Sequence, residues 1–255
     1  MADADPYLLS TETDSLQSGI AQVWRVRIAP PEGAPDDTPP DEALGRSLSD
    51  DERARAARFK FNKHRYRYVA ARAALRRLLG RYAAVDPADL CFDYGLQGKP
   101  RIEQPTAARA ISFNMSHSRD LALLAFTLGP RLGVDIEAVR NMPNALGIAR
   151  RFFTVEEAEL LAAAEEVSDC FFRFWTRKEA VIKAVGTGLA TPLSDFDVSS
   201  GQPAGEPWRT LRVASLPDDL WAVHDLPAAP GYRAAICIEG APLEIVCYRE
   251  PEVDI

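Results

Sequence analysis

Two carboxylates stand two residues apart in the motif GVDIE at 133–137. Alternate side chains of a β-strand share a face, so Asp135 and Glu137 are expected to project together while Val134 and Ile136 enter a core. On a solvated strand face the two carboxylates would have no joint role, whereas in a divalent-cation site both could bind the same ion. The motif therefore becomes informative only if further ligands are found elsewhere in the chain.

A second motif, FWTRKEAVIKAVGTGL at 174–189, places Glu179 four residues before Lys183. Residues four apart are neighbours on a helix, so these two side chains are expected on one edge of it. On a solvated surface such a pair contributes only about 0.3–0.5 kcal/mol. If the strand and the helix meet, three carboxylates and a lysine converge. Three oxygen ligands with room for substrate phosphates is how proteins usually hold Mg²⁺.

Three further motifs occur in order along the chain: GKP at 98–100, FNMSHS at 113–118 and RFF at 151–153. Together with the two motifs above, they resemble the 4'-phosphopantetheinyl transferases of the larger, Sfp-type group. The resemblance runs from about Phe59 to Leu189, without substitution at the acidic and basic positions. It implies an α+β fold of two similar halves related by a pseudo-twofold, with the active site in the cleft between them.

The resemblance also implies an activity of the holo-[acyl-carrier-protein] synthase type. Such an enzyme transfers the 4'-phosphopantetheine arm of coenzyme A to a serine of an apo acyl or peptidyl carrier protein and releases adenosine 3',5'-bisphosphate. Asp135, Glu137 and Glu179 would hold Mg²⁺, with Mn²⁺ as an alternative. Lys183 would stabilise the leaving oxygen. Either Glu179 or a water associated with the metal would take the serine proton, and the sequence leaves both open.

Five other residues are expected to bind coenzyme A. Arg67 matches the family arginine that contacts the 3'-phosphate, and Lys99 matches the lysine of the GKP turn. Ser116 and His117 lie in a segment rich in hydrogen-bond donors, and the family uses this pair for phosphate oxygens. Lys178 falls near the middle of the apolar stripe of its helix, so its ammonium must reach either a phosphate or a carboxylate.

The charge of the chain is unevenly placed. Residues 1–52 contain twelve acidic and three basic side chains, whereas residues 53–82 contain eleven Lys or Arg and no acid. A basic block of this kind favours an anionic partner. Aromatic residues at helical spacing and the net charge of −7 argue against nucleic acid. Apart from Arg67, the arginines of this block, Arg72 and Arg76 among them, are expected at the solvated surface or in carrier docking.

Composition places the chain among ordinary globular proteins, with 47% hydrophobic and 26% charged residues. Its four cysteines have no zinc-ligand or disulfide-framework spacing. Neither a secretory signal nor an apolar run of membrane-spanning length is visible. We therefore expect a cytoplasmic protein without a membrane partner, and the family resemblance implies a monomer.

The order of predicted elements suggests three regions: a flexible acidic tail at 1–18, an N-terminal α+β half at 19–120 and a C-terminal α+β half at 121–255. A strand is predicted around Trp24. Helices are predicted after a capping box at Ser49 and Glu52, from about Asn62 to Tyr82, around 145–153, after a capping box at Thr154 and Glu157, and at about 168–185. The segments LALLAFTL and GVDIEAV are predicted to form a hairpin through Gly129-Pro130.

Two other classes of function remain compatible with the sequence. A metal-dependent coenzyme A or nucleotide pyrophosphatase could use the same carboxylates with water as the nucleophile. A non-catalytic protein that binds a carrier or nucleic acid would need only the basic block at 53–82.

Overall fold

The computed structural model of the chain describes residues 7–10, 15–35, 37–95, 97–199 and 207–249. Helices and strands are mixed along the chain, which confirms the expected α+β class. The helices are α1 Glu42–Gly45, α2 Asp50–Ala57, α3 Asn62–Ala83, α4 Ala145–Phe152, α5 Val155–Ala162 and α6 Val167–Val185. The strands are β1 Leu8–Leu9, β2 Ile20–Arg27, β3 Cys91–Tyr94, β4 Pro100–Gln104, β5 Ile111–Ser118, β6 Leu121–Leu128, β7 Leu132–Ala138, β8 Trp208–Val213, β9 Leu216–Asp225, β10 Tyr232–Glu239 and β11 Glu244–Arg249.

The first sheet has the strand order β1-β11-β2-β6-β5 and is covered on one face by α3. The alternation of apolar residues in β2 explains this packing: Trp24 and Val26 face the helix, while Val23 turns to the other side of the sheet. Leu75 and Leu78 of α3 are fully buried against these strands. The long helix is therefore anchored by one apolar face, as its periodicity predicts.

The second sheet has the strand order β7-β10-β9-β8, and α6 lies on its outer face. Its inner face packs against the first sheet, where Val134 and Ile136 meet Val23 and Leu123. The molecule is thus layered as helix, sheet, sheet and helix. Asp135 and Glu137 point from the second sheet toward α6, as the sequence predicts.

Several predicted elements agree closely with the structure. The capping boxes of α2 and α5 are formed, with Ser49 and Thr154 as the N-cap residues. Gly186 ends α6 in the left-handed region, at a φ of 81° that glycine adopts without strain. The strands predicted near Ala234 and Glu244 are β10 and β11.

The predicted hairpin of β6 and β7 is wrong. The two strands follow each other in the chain but belong to different sheets, and β6 pairs instead with β5 and β2. The change from the first sheet to the second therefore comes after Leu128. In addition, β11 returns to the first sheet and pairs with β2. Periodicity identifies a strand but not its partner, which explains the error.

Part of the expected flexible tail is tied to the body of the protein. Tyr7 is buried, and its hydroxyl donates a hydrogen bond to the carbonyl of Pro227. The following residues form β1, which pairs in parallel with β11. This strand is not predicted from the sequence, because two residues are too few to show an alternation of apolar side chains. Residues 1–6 and 11–14 of the expected tail lie outside the described residues.

Candidate functional site

Asp135 and Lys183 form the centre of the candidate site. The Lys183 ammonium donates to Asp135 Oδ1 at 2.6 Å, to Ser116 Oγ at 2.8 Å and to the carbonyl of Val134 at 3.3 Å. The Ser116 hydroxyl itself donates to Asp135 Oδ1 at 2.7 Å. Strands β5 and β7 and helix α6 therefore bring one carboxylate, one ammonium and one hydroxyl together. The approach of Lys183 to Asp135 agrees with two of the motifs, whereas Ser116 is expected from the resemblance at a phosphate.

The close approach of β7 and α6 depends on Gly133. A Cβ atom at this position would lie 2.1 Å from the carbonyl oxygen of Ala180 and 2.3 Å from the amide nitrogen of Ala184. No side chain fits such a gap, because both neighbours are helix backbone. The glycine at the start of the GVDIE motif thus lets Lys183 reach Asp135.

Glu137 lies one step further along β7, close to the end of β5. Its Oε2 accepts a hydrogen bond from Ser118 Oγ at 2.8 Å and lies 3.5 Å from the Arg140 guanidinium. The carboxylate is partly exposed, unlike that of Asp135. Glu137 therefore combines a defined partner on the protein side with access from solvent.

Glu179 is partly buried and lies on the flank of α6 that faces the cleft. Its pKa is raised above the usual range of glutamate, first because the carboxyl is removed from water and then because Asp135 and Glu137 are negative. The pKa of Asp135 is also raised, and burial is again the largest cause. Negative charge is therefore concentrated between β7 and α6.

The carboxylates of the site fit a divalent cation only in part. Asp135 Oδ2 is buried and has no hydrogen-bond partner, which leaves one oxygen available to a ligand. However, among the described residues no three acidic, histidine or cysteine side chains are close enough to hold a metal ion as they stand. The expected convergence of three carboxylates is thus incomplete. Glu137 and Glu179 would have to turn toward Asp135 to share an ion with it.

Ser116 and His117, which are expected to act together on phosphate oxygens, lie on opposite faces of β5. Ser116 faces β7 and contacts Asp135, whereas His117 points to the opposite face, on the side of α3. The pKa of His117 is lowered, mainly because the ring is partly removed from water and then because Lys183 and Arg67 are positive. His117 is therefore placed with Arg67, and Ser116 with the carboxylate.

Arg67 lies on α3, beside the turn that joins β5 to β6. Its guanidinium pairs with Asp120 of that turn at 2.5 Å and is largely buried. This position is compatible with a contact to phosphate, provided that the phosphate competes with Asp120. The role of Arg67 stays a prediction.

Lys99 has a different environment from the one expected. Its ammonium donates to the carbonyls of Leu132, Lys183 and Ala184 at 2.9, 2.6 and 3.2 Å. Burial lowers the pKa of Lys99 to about 8. All three donors of the ammonium are satisfied by backbone, so in this arrangement Lys99 fastens the GKP turn to the end of α6 instead of presenting a free charge.

Lys178 is not placed to bind coenzyme A. It is completely buried and forms an ion pair of 2.7 Å with Glu157, which is also completely buried. The remaining donors bond to the carbonyls of Leu193 and Phe196 at 2.6 and 2.9 Å. The partner of Lys178 is thus a carboxylate and not a phosphate. The expected contact of Lys178 with a phosphate is corrected accordingly.

The basic block at 53–82 is less exposed than its composition predicts. Arg72 and Arg76 are buried, and both guanidiniums bond to the buried carboxylate of Glu52. Arg76 also donates to the carbonyls of Pro87 and Leu90. The prediction of a solvated or docking role for these two arginines is wrong, since both guanidiniums are buried and bonded to one buried carboxylate.

Two adjoining cavities open beside the site. The smaller, of about 290 Å³, is lined by Asn114, Glu179 and Lys183 among others. The larger, of about 560 Å³, has apolar walls that include Phe113 and Leu132. Both are bordered by Lys99 of the GKP turn. A ligand of some length could therefore extend from Lys183 along this turn.

Two family profiles match adjoining parts of the chain. The profile described as 4'-phosphopantetheinyl transferase superfamily matches residues 131–237, and the one described as 4'-phosphopantetheinyl transferase, N-terminal, matches residues 41–128. These ranges meet where the strands change from the first sheet to the second. They therefore agree with the sheet topology.

Individual relatives support the same assignment. The chain is 36% identical over 228 residues to the 4'-phosphopantetheinyl transferase HetI of Nostoc sp., covering 89% of this chain and 90% of the relative. It is 32% identical over 197 residues to the 4'-phosphopantetheinyl transferase Sfp of Bacillus subtilis, covering 74% and 81%. Holo-[acyl-carrier-protein] synthase of Thermotoga maritima superposes with a TM-score of only 0.31 at 21% identity, over 44% of this chain and 63% of that one.

The chain belongs to the 4'-phosphopantetheinyl transferase superfamily, as its motifs predict. The relatives above are named 4'-phosphopantetheinyl transferases, and the holo-[acyl-carrier-protein] synthase subtype stays a prediction. None of the described helices is long and apolar enough to cross a membrane.

Proposed function

We propose that the chain transfers the 4'-phosphopantetheine arm of coenzyme A to a serine of an apo acyl or peptidyl carrier protein. The observation that supports this most strongly is the contact of Lys183 with Asp135 and Ser116 beside a cavity that Glu179 lines, in a chain of this superfamily. An Sfp-type monomer that needs neither nucleic acid nor a membrane is part of the proposal.

In the proposed reaction the serine oxygen attacks the phosphorus that carries the pantetheine arm. The bond between that phosphorus and the bridging oxygen of the pyrophosphate breaks, and adenosine 3',5'-bisphosphate leaves. Glu179 accepts the serine proton, because its raised pKa makes the carboxylate a stronger base than an ordinary glutamate. The proton and the leaving group thus each have a defined destination.

Lys183 stabilises the leaving phosphate as it gains charge. The ammonium has three hydrogen-bond partners in the structure, of which the Val134 carbonyl at 3.3 Å is the most distant. Contact with the phosphate would replace one of these bonds. Asp135 holds the lysine in place, and Ser116 fixes Asp135 from the other side.

A divalent cation, Mg²⁺ or Mn²⁺, would be held by the unpartnered Oδ2 of Asp135 only if Glu137 and Glu179 turned toward it, because the described side chains do not form a metal-holding group as they stand. When bound, it would neutralise the pyrophosphate and make the phosphorus more electrophilic. The nucleotide end of coenzyme A would lie on the other face of β5, near His117 and Arg67.

Mass spectrometry of apo carriers tests the proposal. Incubation with coenzyme A and Mg²⁺ should add one phosphopantetheine to a single serine, and a carrier with that serine changed to alanine should gain nothing. Coenzyme A without carrier provides a second control, because cleavage there would indicate a pyrophosphatase. No mass gain across a panel of acyl and peptidyl carriers would contradict the proposal.

Asp135→Asn and Glu179→Gln should each lower the transfer rate by about 10²-fold or more, because each removes a carboxylate where charge develops. Both changes keep the shape of the side chain. Glu159→Gln, an exposed position on α5, is the matched control and should remain active. Initial rates at saturating Mg²⁺ provide the comparison, and near-normal rates for either variant would remove that residue from the mechanism.

A further inference from the structure

The groups that the Lys183 ammonium contacts lie on two strands that are joined by side chains. β5 and β7 belong to different sheets. Asn114 Oδ1 accepts a hydrogen bond from the amide of Val134 at 2.9 Å, and the Ser116 hydroxyl donates to Asp135 Oδ1 at 2.7 Å. These contacts set the two strands relative to each other. The position of Lys183 then depends on how the end of α6 is held.

The last turn of α6 is bound by the ammonium of Lys99. Its three donors bond to the carbonyls of Lys183, Ala184 and Leu132, at 2.6, 3.2 and 2.9 Å. The last carbonyls of an α-helix have no partner within the helix, and a cation there also interacts favourably with the helix dipole. Leu132 is the first residue of β7. One ammonium therefore ties the end of the helix to the strand.

Lys99 is well suited to this contact in its length and its charge. A Cβ atom on Gly186 would lie 3.5 Å from Lys99 Cδ, so the stem of the lysine passes beside the end of the helix. Burial lowers the pKa of Lys99 only to about 8, so the ammonium keeps its three donors at pH 7. The Lys99 carbonyl accepts from the amide of Gly95 at 3.1 Å, which closes the GKP turn. The turn, the strand and the helix are thus joined at one point.

We propose that Lys99 is a positioning residue that holds the end of α6 on β7 and so sets where the Lys183 ammonium lies, a role that rests on the proposed function. Lys183 is bonded at both ends: its carbonyl by Lys99 and its ammonium by Asp135 and Ser116. A shift of the last turn moves the backbone from which the Lys183 side chain reaches. Lys99 then acts on the reaction through Lys183 and not as a ligand of coenzyme A.

Lys99→Met tests this role, because it keeps most of the stem and removes the three donors. A misplacement on the order of 1 Å at a catalytic group can cost about 10²-fold in rate, so kcat for carrier modification should fall by about 10- to 10²-fold. The KM for coenzyme A should change little. A raised KM with unchanged kcat would overturn the proposal and make Lys99 a ligand of coenzyme A.

A double-mutant cycle with Lys183→Ala separates positioning from a general loss of stability. In that background the carbonyl at 183 remains but the ammonium is gone, so Lys99→Met should lower kcat no further. An equal fall of kcat in both backgrounds would show that Lys99 does not act through Lys183, and would overturn the proposal.

Amide hydrogen exchange of the full chain, measured by mass spectrometry without substrate, tests the tie itself. Lys99→Met should speed exchange at residues 182–186 by about 10-fold or more, since the last turn loses charge-assisted hydrogen bonds. Exchange in α3 provides an internal reference and should stay as in wild type. Unchanged exchange at 182–186 would overturn the proposal.

Arg101→Met is the matched control beside the same turn. Its guanidinium is exposed and pairs with Asp93 at 3.0 Å, away from α6. Loss of this positive charge should leave both kcat and exchange at 182–186 unchanged. If Arg101→Met loosened the end of α6 as much as Lys99→Met does, the effect would come from charge near the turn, and the specific role of Lys99 would be overturned.

Failure of the proposed function is distinguishable from failure of this role. If wild type modifies no carrier, the proposed function fails, while the exchange comparison still decides whether Lys99 holds the end of α6. If wild type modifies a carrier and Lys99→Met matches it in kcat and in exchange, only the role of Lys99 is overturned.

Discussion

The ammonium of Lys183 connects two parts of the site, because it bonds to Asp135 and is proposed to reach the leaving phosphate. Lys183→Ala should therefore lower kcat by more than it raises the KM for coenzyme A, since the second contact strengthens only as charge develops. Steady-state kinetics with coenzyme A varied at fixed carrier concentration separate the two effects.

The control for Lys183 is a lysine outside the cleft. Lys60 is exposed and precedes α3, so Lys60→Ala should leave kcat unchanged. A variant at Lys183 that changed KM alone would make this residue a ground-state binding group. Leaving-group stabilisation would then have to come from the metal, because Lys178 is buried elsewhere.

Arg67 is expected to recognise the 3'-phosphate of coenzyme A, a group that takes no part in bond making. Each charge-assisted hydrogen bond is typically worth about 1.5–3 kcal/mol, so wild type should use 3'-dephospho-coenzyme A about 10- to 10³-fold less well in kcat/KM. Arg67→Ala should remove much of that preference by harming coenzyme A selectively. The measurement is kcat/KM for wild type and Arg67→Ala, each with coenzyme A and with 3'-dephospho-coenzyme A.

Two other residues, Arg81 and Asp120, provide controls for this comparison. Arg81 is exposed near the far end of the same helix, so Arg81→Ala should preserve the preference for the 3'-phosphate. Asp120 pairs with Arg67, and its removal should not weaken phosphate binding if the phosphate replaces it. Equal losses with both substrates in Arg67→Ala would show that Arg67 does not read the 3'-phosphate.

At the scale of elements, helix α6 is held in place by a buried ion pair between Lys178 and Glu157 of α5. Glu157 also accepts hydrogen bonds from the amides of Thr154 and Val198, so one carboxylate joins two helices and a loop. Lys178→Ala should destabilise the protein by about 3–5 kcal/mol, because it leaves an unpaired charge in the core. Urea unfolding at neutral pH measures this loss.

Two further variants separate charge from packing in that pair. Lys178→Met with Glu157→Gln removes both charges and should recover much of the stability that Lys178→Ala loses. Glu156→Gln, one residue away and exposed, should change stability little. If Lys178→Ala unfolded at the same urea concentration as wild type, the ion pair would not contribute to holding α6.

The sequence predicts much of these elements and less of their contacts. The apolar period of α3 and α6, their capping residues and the glycine after α6 are local signals, and the structure agrees with them. By contrast, nothing near Lys178 identifies Glu157 as its partner, because the two are brought together by the packing of α5 on α6. The position of Lys178 in the apolar stripe of its helix predicts only that its buried ammonium needs an anion.

The same limit applies to the candidate site. Asp135 and Lys183 are recognisable from spacing and motif, but the contacts of Asn114 and Ser118 depend on two edge strands meeting across a sheet boundary. The signal available in the sequence was the alternation of polar residues at 114, 116 and 118, which matches the period of a strand. Without the partner strand, that alternation is as typical of a solvated strand face as of side chains that bond to a neighbouring strand.

At the scale of the whole molecule, contacts join segments that are far apart in the chain. Although the matches to family profiles divide the chain near residue 130, β11 returns from the C-terminal end to pair with β2. Tyr7 near the start of the chain bonds to Pro227 after β9. The candidate site lies where the sheets meet, so its geometry depends on the two sheets remaining packed together.

Exposed charge gives the last prediction. The chain is acidic overall at −7, yet exposed basic residues remain near the start of α3, including Arg58 and Lys60. An acidic carrier helix would be attracted to them. Exposed charges are screened beyond about 8–10 Å at physiological ionic strength, so the carrier KM should rise with salt at saturating coenzyme A.

Charge reversal locates the surface responsible for that dependence. Arg58→Glu with Lys60→Glu should raise the carrier KM at low salt and flatten its rise with NaCl, because the attraction has been removed. Arg81→Glu makes a similar change in charge at the other end of α3 and should preserve the wild-type salt curve if docking is confined to the first end. A wild-type KM that stayed flat from low to high salt would place carrier docking on apolar contacts instead.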